Sequence, residues 1–237
     1  MRGELVLLHG FTQTGRSWAP VVAELGERYR CFAPDLPGHG DAADRRPATV
    51  DAVCAYLAAL RIERFTLCGY SMGGRLALAA ALRHPQRVGR LVLIGATAGL
   101  AEPSEREARR RADAGLAARI EAIGLAAFVD EWGRQPLLAS QPRGVAEAAR
   151  EDRLRSSAPG LAAALRGMGT GAMAPLWGRL GELRMPVTLL AGEHDEKFRA
   201  IAERMAAALA DGRVVIVPDA GHAAHLEAPH AVAEAIG

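Results

Sequence analysis

A chain of 237 residues, 50% apolar and 5% aromatic with 26 glycines, has the make-up of a globular protein of one domain with room for an insertion. Its 29 Lys+Arg against 27 Asp+Glu leave a net charge of +2, which excludes general attraction to nucleic acid or to an anionic membrane, so an anionic ligand must be met by local placement. Cys31, Cys54 and Cys68 are odd in number and form no CxxC pair, which argues against a disulfide framework and a metal site and fits a reducing cytoplasm.

In chain order, the apolar run at 5–8 is too short for a signal-peptide core and reads as the first strand, residues 4–8. Further strands are predicted at 30–33, 65–68, 90–94, 187–191 and 214–217, with helical patterns at 18–27, 49–60, 72–83, 198–209 and 229–236. This alternation predicts a mostly parallel, doubly wound α/β sheet. The spacing breaks once. Between 94 and 187 no strand is legible, and helical segments at 104–123, 125–132, 144–155 and 160–167 are punctuated by Pro136, Pro142, Pro159 and Pro175. We expect residues 98–179 to be an inserted helical lid, with 1–97 and 180–237 forming the body. No apolar run approaches the ~20 residues that cross a bilayer.

The chemistry is concentrated in Gly69-Tyr70-Ser71-Met72-Gly73, a G-x-S-x-G that follows a strand and precedes a helix, as that motif requires. Small residues on either side let the chain turn sharply and project Ser71 over the sheet. Asp195 follows the fifth strand and His222 the sixth, giving the order Ser, Asp, His of α/β-hydrolases. All three lie just past the carboxyl ends of strands, where open parallel sheets bind ligands. In this arrangement His222 takes the serine proton and Asp195 fixes the imidazole tautomer. His9-Gly10-Phe11 follows the first strand, so the N–H groups of Phe11 and Met72 are the expected oxyanion hole, while His9 itself is read as a hydrogen-bonded loop residue. The turn Pro34-Asp35-Leu36-Pro37-Gly38-His39-Gly40 is read as structural.

Beyond the motif, GYSMGGR at 69–75, the arginine-rich start of the lid, FVDEWGRQPLLAS at 128–140, Leu154-Arg155-Ser156, GEHDEKFR at 192–199 and AGHAAHLEAP at 220–229 resemble one family of the α/β-hydrolase superfamily. It is the 2-succinyl-6-hydroxy-2,4-cyclohexadiene-1-carboxylate (SHCHC) synthases of menaquinone biosynthesis, and the resemblance runs almost end to end. It implies a cofactor-independent carbon–oxygen lyase that removes pyruvate from a cyclohexene carrying succinyl, carboxylate and enolpyruvyl groups, with serine as a base rather than an acylated nucleophile. It also implies Tyr70, Arg75, Arg109, Trp132, Arg155 and Lys197 around the substrate.

Each carried-over residue has its own physical reading. Arg75 lies one turn after Ser71, near the positive end of a helix, where a cation is disfavoured by ~0.3–1 kcal/mol unless an anionic ligand reverses the balance. Arg109 is not separated by spacing from Arg106, Arg110 and Arg111, and Glu102–Arg106, Glu105–Arg109 and Glu107–Arg111 are all i,i+4 pairs of an exposed helix. Arg155 has acids close by in sequence, and Trp132 suits an apolar lid anchor as well as a pocket wall. Lys197 is the only lysine of the chain. Gly133 stands where relatives are expected to carry a larger side chain. The expected partner is a small polycarboxylate, with no nucleic acid or membrane, and the expected state is a monomer or weak homo-oligomer. A carboxylesterase or thioesterase of the same fold is the alternative, since the triad serves either chemistry.

Overall fold

The computed structural model describes residues 2–139 and 141–237. Six strands, β1 (Gly3–Leu8), β2 (Tyr29–Phe32), β3 (Phe65–Tyr70), β4 (Val88–Ile94), β5 (Val187–Gly192) and β6 (Gly212–Val217), form one sheet in the order β2-β1-β3-β4-β5-β6. Every neighbouring pair is parallel. The inner strands read as unbroken apolar runs because helices cover both faces. Along β1 the pleat divides them, with Val6 and Leu8 in one buried cluster and Leu5 and Leu7 in the other.

The first cluster is closed by α2 (Val50–Ala58), α3 (Met72–Arg83) and, further along the sheet, α8 (Glu196–Ala206). The opposite cluster is closed by α1 (Ala19–Leu25) and α10 (Pro229–Ile236). No strand boundary differs from its sequence expectation by more than two residues. The first helix is shorter than expected at both ends. A 3₁₀ turn, Gly15–Trp18, capped by the Thr14 hydroxyl, precedes it, and Gly26 at φ +55° stops it.

The long gap between β4 and β5 holds α4 (Pro103–Ile123), α5 (Leu125–Gly133), α6 (Arg143–Arg153) and α7 (Ala158–Met168). Ala117, Ile120, Phe128, Leu161, Ala162 and Leu165 give these helices a small core of their own. Where the insert leaves and rejoins the body its two ends are tied together. Leu176 N–H donates to Ala98 O at 2.7 Å and the Trp177 indole to Gly99 O at 2.8 Å. No helix among the described residues is long and apolar enough to cross a membrane.

Candidate active site

The chain reverses its direction of winding between β1 and β3, and the site lies at the carboxyl ends of these and the following strands. Ser71 sits between β3 and α3 at φ +50°, a left-handed conformation that costs about 1–3 kcal/mol outside glycine and is held by its surroundings. Its N–H donates to Ile94 O at 2.8 Å. The flanking glycines are required by space: a Cβ at Gly69 would collide with Gly73 O, and one at Gly73 with Leu8 O. These close approaches press α3 against β1 and β3 and lift the serine above the sheet.

Asp195 begins α8 and His222 lies in the loop between β6 and α9 (Ala224–Glu227). Both are buried. The His222 Nδ1–H donates to Asp195 Oδ2 at 2.6 Å, which leaves Nε2 as the acceptor facing Ser71 Oγ at 3.3 Å. Phe198 packs on the imidazole at 4.5 Å between ring centres. The histidine loop is held by Glu227, whose carboxylate accepts from Gly221 N–H at 2.7 Å and Ala223 N–H at 3.1 Å. Sequence reading passed over Glu227, although its place six residues after Gly221 in AGHAAHLE was a usable signal.

Phe11 and Met72 both line the cavity at Ser71. The Met72 N–H, at the first position of α3, has no acceptor within its own helix. Behind Phe11, His9 is fully buried. Its Nδ1–H donates to Gly10 O at 2.8 Å and its Nε2 accepts from Leu36 N–H at 3.0 Å, so burial holds the ring neutral with its pKa lowered to about 4. His9 therefore locks the Phe11 loop to the 34–40 turn. That turn is braced in its own right by Asp35, which accepts from Gly15 and Asp41 N–H groups at 2.7 Å each.

The cavity above Ser71 measures about 250 Å³, and Arg75, Arg109, Trp132 and Lys197 lie on its wall with His222. Arg75 is only 7% exposed and makes no ion pair among the described residues; its Nη1 donates to Met168 O at 3.0 Å and touches Met173 Sδ at 2.7 Å. Burial first, and then the neighbouring Arg109, lower its pKa to about 10. Arg109 is half-exposed and pairs with Asp113 at 2.7 Å. The Lys197 ammonium stands 5.8 Å from the centre of the Phe198 ring. Trp132 packs edge-on to Phe11 at 5.1 Å, so the same ring anchors the lid and walls the cavity.

A side chamber of about 50 Å³ adjoins this cavity, with Ser71 and His222 lining both. Tyr70 lies there, buried, its hydroxyl pKa pushed up by desolvation. Arg155, in contrast, is not brought to Ser71. Helix α6 ends at Arg153, and Arg155 leaves the following turn toward Asp41 (3.3 Å), on a separate surface groove between α1 and α6. The arginine that lines the side chamber is Arg153.

Fold and site together define an α/β-hydrolase with a serine–histidine–aspartate relay under a cationic cavity. The model of the alpha/beta hydrolase family matches residues 5–235. The chain is 35% identical over 233 residues to the 2-succinyl-6-hydroxy-2,4-cyclohexadiene-1-carboxylate synthase of Enterobacter sp. (strain 638), covering 97% of this chain and 88% of that one. It is likewise 35% identical to the enzyme of that name from Citrobacter koseri, covering 98% and 91%. Among solved structures, MenH from S. aureus superposes with a TM-score of 0.92 at 32% identity, covering 99% of this chain and 91% of that one. A malate-bound thermophilic esterase from Thermogutta terrifontis superposes with a TM-score of 0.81 at 28% identity, covering 99% and 88%. The chain belongs to the alpha/beta hydrolase family and, within it, to the family of these synthases.

Proposed function

We propose that the protein is a carbon–oxygen lyase that eliminates pyruvate from 2-succinyl-5-enolpyruvyl-6-hydroxy-3-cyclohexene-1-carboxylate to give 2-succinyl-6-hydroxy-2,4-cyclohexadiene-1-carboxylate in menaquinone biosynthesis. One observation carries the reading: Ser71 opens into a cavity walled by Arg75, Arg109 and Lys197, and Arg75 is buried there without an ion pair among the described residues, the nearby Asp113 carboxylate being paired with Arg109. A buried, unpaired guanidinium is costly, and a ligand carboxylate supplies the missing charge. An acyl pocket has no use for that arrangement.

The steps follow from the relay. His222, its tautomer fixed by Asp195, takes the Ser71 proton on Nε2, and the serine oxygen removes a hydrogen from a ring carbon. The C–H electron pair forms a new ring double bond, the existing ring double bond shifts one position toward the leaving group, the ring C–O bond to the enolpyruvyl group breaks, and the expelled enolate takes the proton from His222 and becomes pyruvate. Water is not consumed. The Phe11 and Met72 N–H groups face charge developing on a substrate oxygen, where one such donor contributes about 2.7–4 kcal/mol in acyl-transfer sites. Residues 1–97 and 180–237 carry the relay, and the lid, 98–179, supplies Arg109 and Trp132. The three free cysteines suit action in the cytoplasm on a small molecule.

The decisive experiment supplies the enolpyruvyl substrate and follows pyruvate, beside a panel of p-nitrophenyl esters. Pyruvate release with slow ester cleavage is expected. Fast ester cleavage without pyruvate would replace the lyase by an esterase, the activity of the neighbour from Thermogutta terrifontis.

A further inference from the structure

Behind the cationic wall of the main cavity lies one acid, Asp113 of α4. Its side chain is only 6% exposed, and its two oxygens are divided between two donors: Oδ1 accepts from Arg109 Nε at 2.7 Å and Oδ2 from Gly171 N–H at 3.4 Å. A carboxylate close to a chamber for anions weakens their binding by charge, and its burial is unfavourable unless it is paired. Its place there needs a reason other than charge.

The hydrogen bonds supply one. Arg109 engages the acid through Nε alone. Its two terminal nitrogens make no hydrogen bond among the described residues, while the side chain stands half-exposed on the cavity wall. A guanidinium meets a carboxylate along a planar edge of two N–H groups, and fixing Arg109 at Nε leaves the edge between Nη1 and Nη2 open. Without the acid, a long half-exposed side chain samples many rotamers, and a ligand has to order it.

The segment after α7 keeps the acid committed to Arg109. Met168 O accepts from Arg75 Nη1 at 3.0 Å, whereas a Cβ at Gly169 would collide with Asp113 Oδ2 and one at Gly171 with the backbone of Arg110. These two glycines let the segment lie against α4, and Gly169 and Thr170 line the cavity. Asp113 is near enough for its charge to favour the Arg75 cation, yet the two form no ion pair. One carboxylate thus orders one arginine and leaves the other unmatched.

Resting on the lyase reading above, we infer that Asp113 is a positioning residue of the substrate cavity. It holds the Arg109 guanidinium by Nε with the free edge offered to an anionic group of the substrate, and it ties that arginine to the glycine segment.

Asp113→Asn separates this role from a purely electrostatic one by sign. Both neighbours of the acid are donors, and an asparagine has one acceptor oxygen where the carboxylate has two, so its NH2 must face one of them. If charge alone counted, removing the acid would tighten binding of a polyanion. We expect the reverse: KM, followed by pyruvate release, rises about 5- to 50-fold with kcat within about threefold of the parent, and the Kd for succinate, from titration calorimetry, rises with it. Arg109→Met leaves the acid buried without a partner, so it melts lower; adding Asp113→Asn restores the Tm and no longer raises KM. A KM in Asp113→Asn at or below the parental value overturns the inference, as does a rise that simply multiplies with that of Arg109→Met. If Asp113→Asn does not fold, Arg109→Lys decides. It keeps the charge but places its single nitrogen on the acid, so KM rises there too, and a parental KM overturns the inference. A parent that releases no pyruvate ends the lyase reading by itself, and the succinate Kd in Asp113→Asn, raised or not, then decides the role of Asp113; a parent that also binds no succinate overturns both.

Discussion

Replacing Arg75 by methionine tests whether the cavity is built for a polyanion, because it removes the buried charge while leaving an unbranched stem in α3. Burial holds this guanidinium down to about 10, well below its ordinary value, so carrying the charge costs the folded protein on the order of 3 kcal/mol at neutral pH. Against that, the hydrogen bond to Met168 O at 3.0 Å contributes about 1.5–3 kcal/mol. The two nearly cancel. With 1 kcal/mol worth about 2–4 °C in a chain of this size, Arg75→Met is expected to melt within about 5 °C of the parent. Catalysis has no such compensation: the lost bond to a substrate carboxylate lowers kcat/KM by about 10- to 150-fold. Pyruvate release coupled to NADH oxidation by lactate dehydrogenase gives the kinetics, and scanning calorimetry the Tm. A variant that melts more than about 10 °C lower makes Arg75 a structural residue, and one with parental kcat/KM removes it from the substrate.

Three further predictions follow from the geometry. Asp195→Asn leaves the fold in place but frees the wrong imidazole tautomer, so kcat falls by about 10⁴-fold with little change in Tm, and retained turnover would take Asp195 out of the relay. Glu227→Gln loosens the His222 loop without touching substrate; kcat is expected to fall by up to about 100-fold with KM unchanged, and a change confined to KM would contradict a positioning role. His9, His39 and His225 are held by burial at pKa values of about 4, 3 and 3, neutral when folded but charged when unfolded below about pH 6.5. Their contribution to stability is therefore full above pH 6.5 and is lost as pH falls, each group adding a slope of about 1.4 kcal/mol per pH unit near pH 5. His225→Phe, which keeps a ring between Trp18 and Tyr70, should flatten the decline of Tm between pH 7 and 5; an unchanged decline would refute the assignment.

The sheet was legible because strands covered on both faces leave continuous apolar runs, and the triad because a nucleophile turn fixes glycines on both sides of Ser71. The lid gave less away. Its helices were visible from their period and prolines, but the direction of an arginine near a helix end depends on how the chain leaves that end. The Ser157 hydroxyl caps α7 by accepting from Gly160 N–H, and the Ser156 hydroxyl accepts from Gly40 N–H; these contacts span separate parts of the fold and turn Arg155 outward. The Asp152 carboxylate accepts from the Thr14 hydroxyl across 138 residues of chain, a clamp that nothing local in the sequence announces. Helix α8 began two residues earlier than its apolar pattern, because Asp195 serves both as its cap and as the partner of His222.

Under the proposed function, the stitched ends of the insert, Ala98 to Leu176 and Gly99 to Trp177, make the reaction and its choice of substrate separable inheritances. Ser71, Asp195 and His222 all follow strands of the sheet, whereas Arg109, Trp132 and Arg153 arrive on a cassette whose entrance and exit share one doorway. Descendants of such a scaffold can exchange the cassette and meet new molecules without rebuilding the machinery that moves the proton.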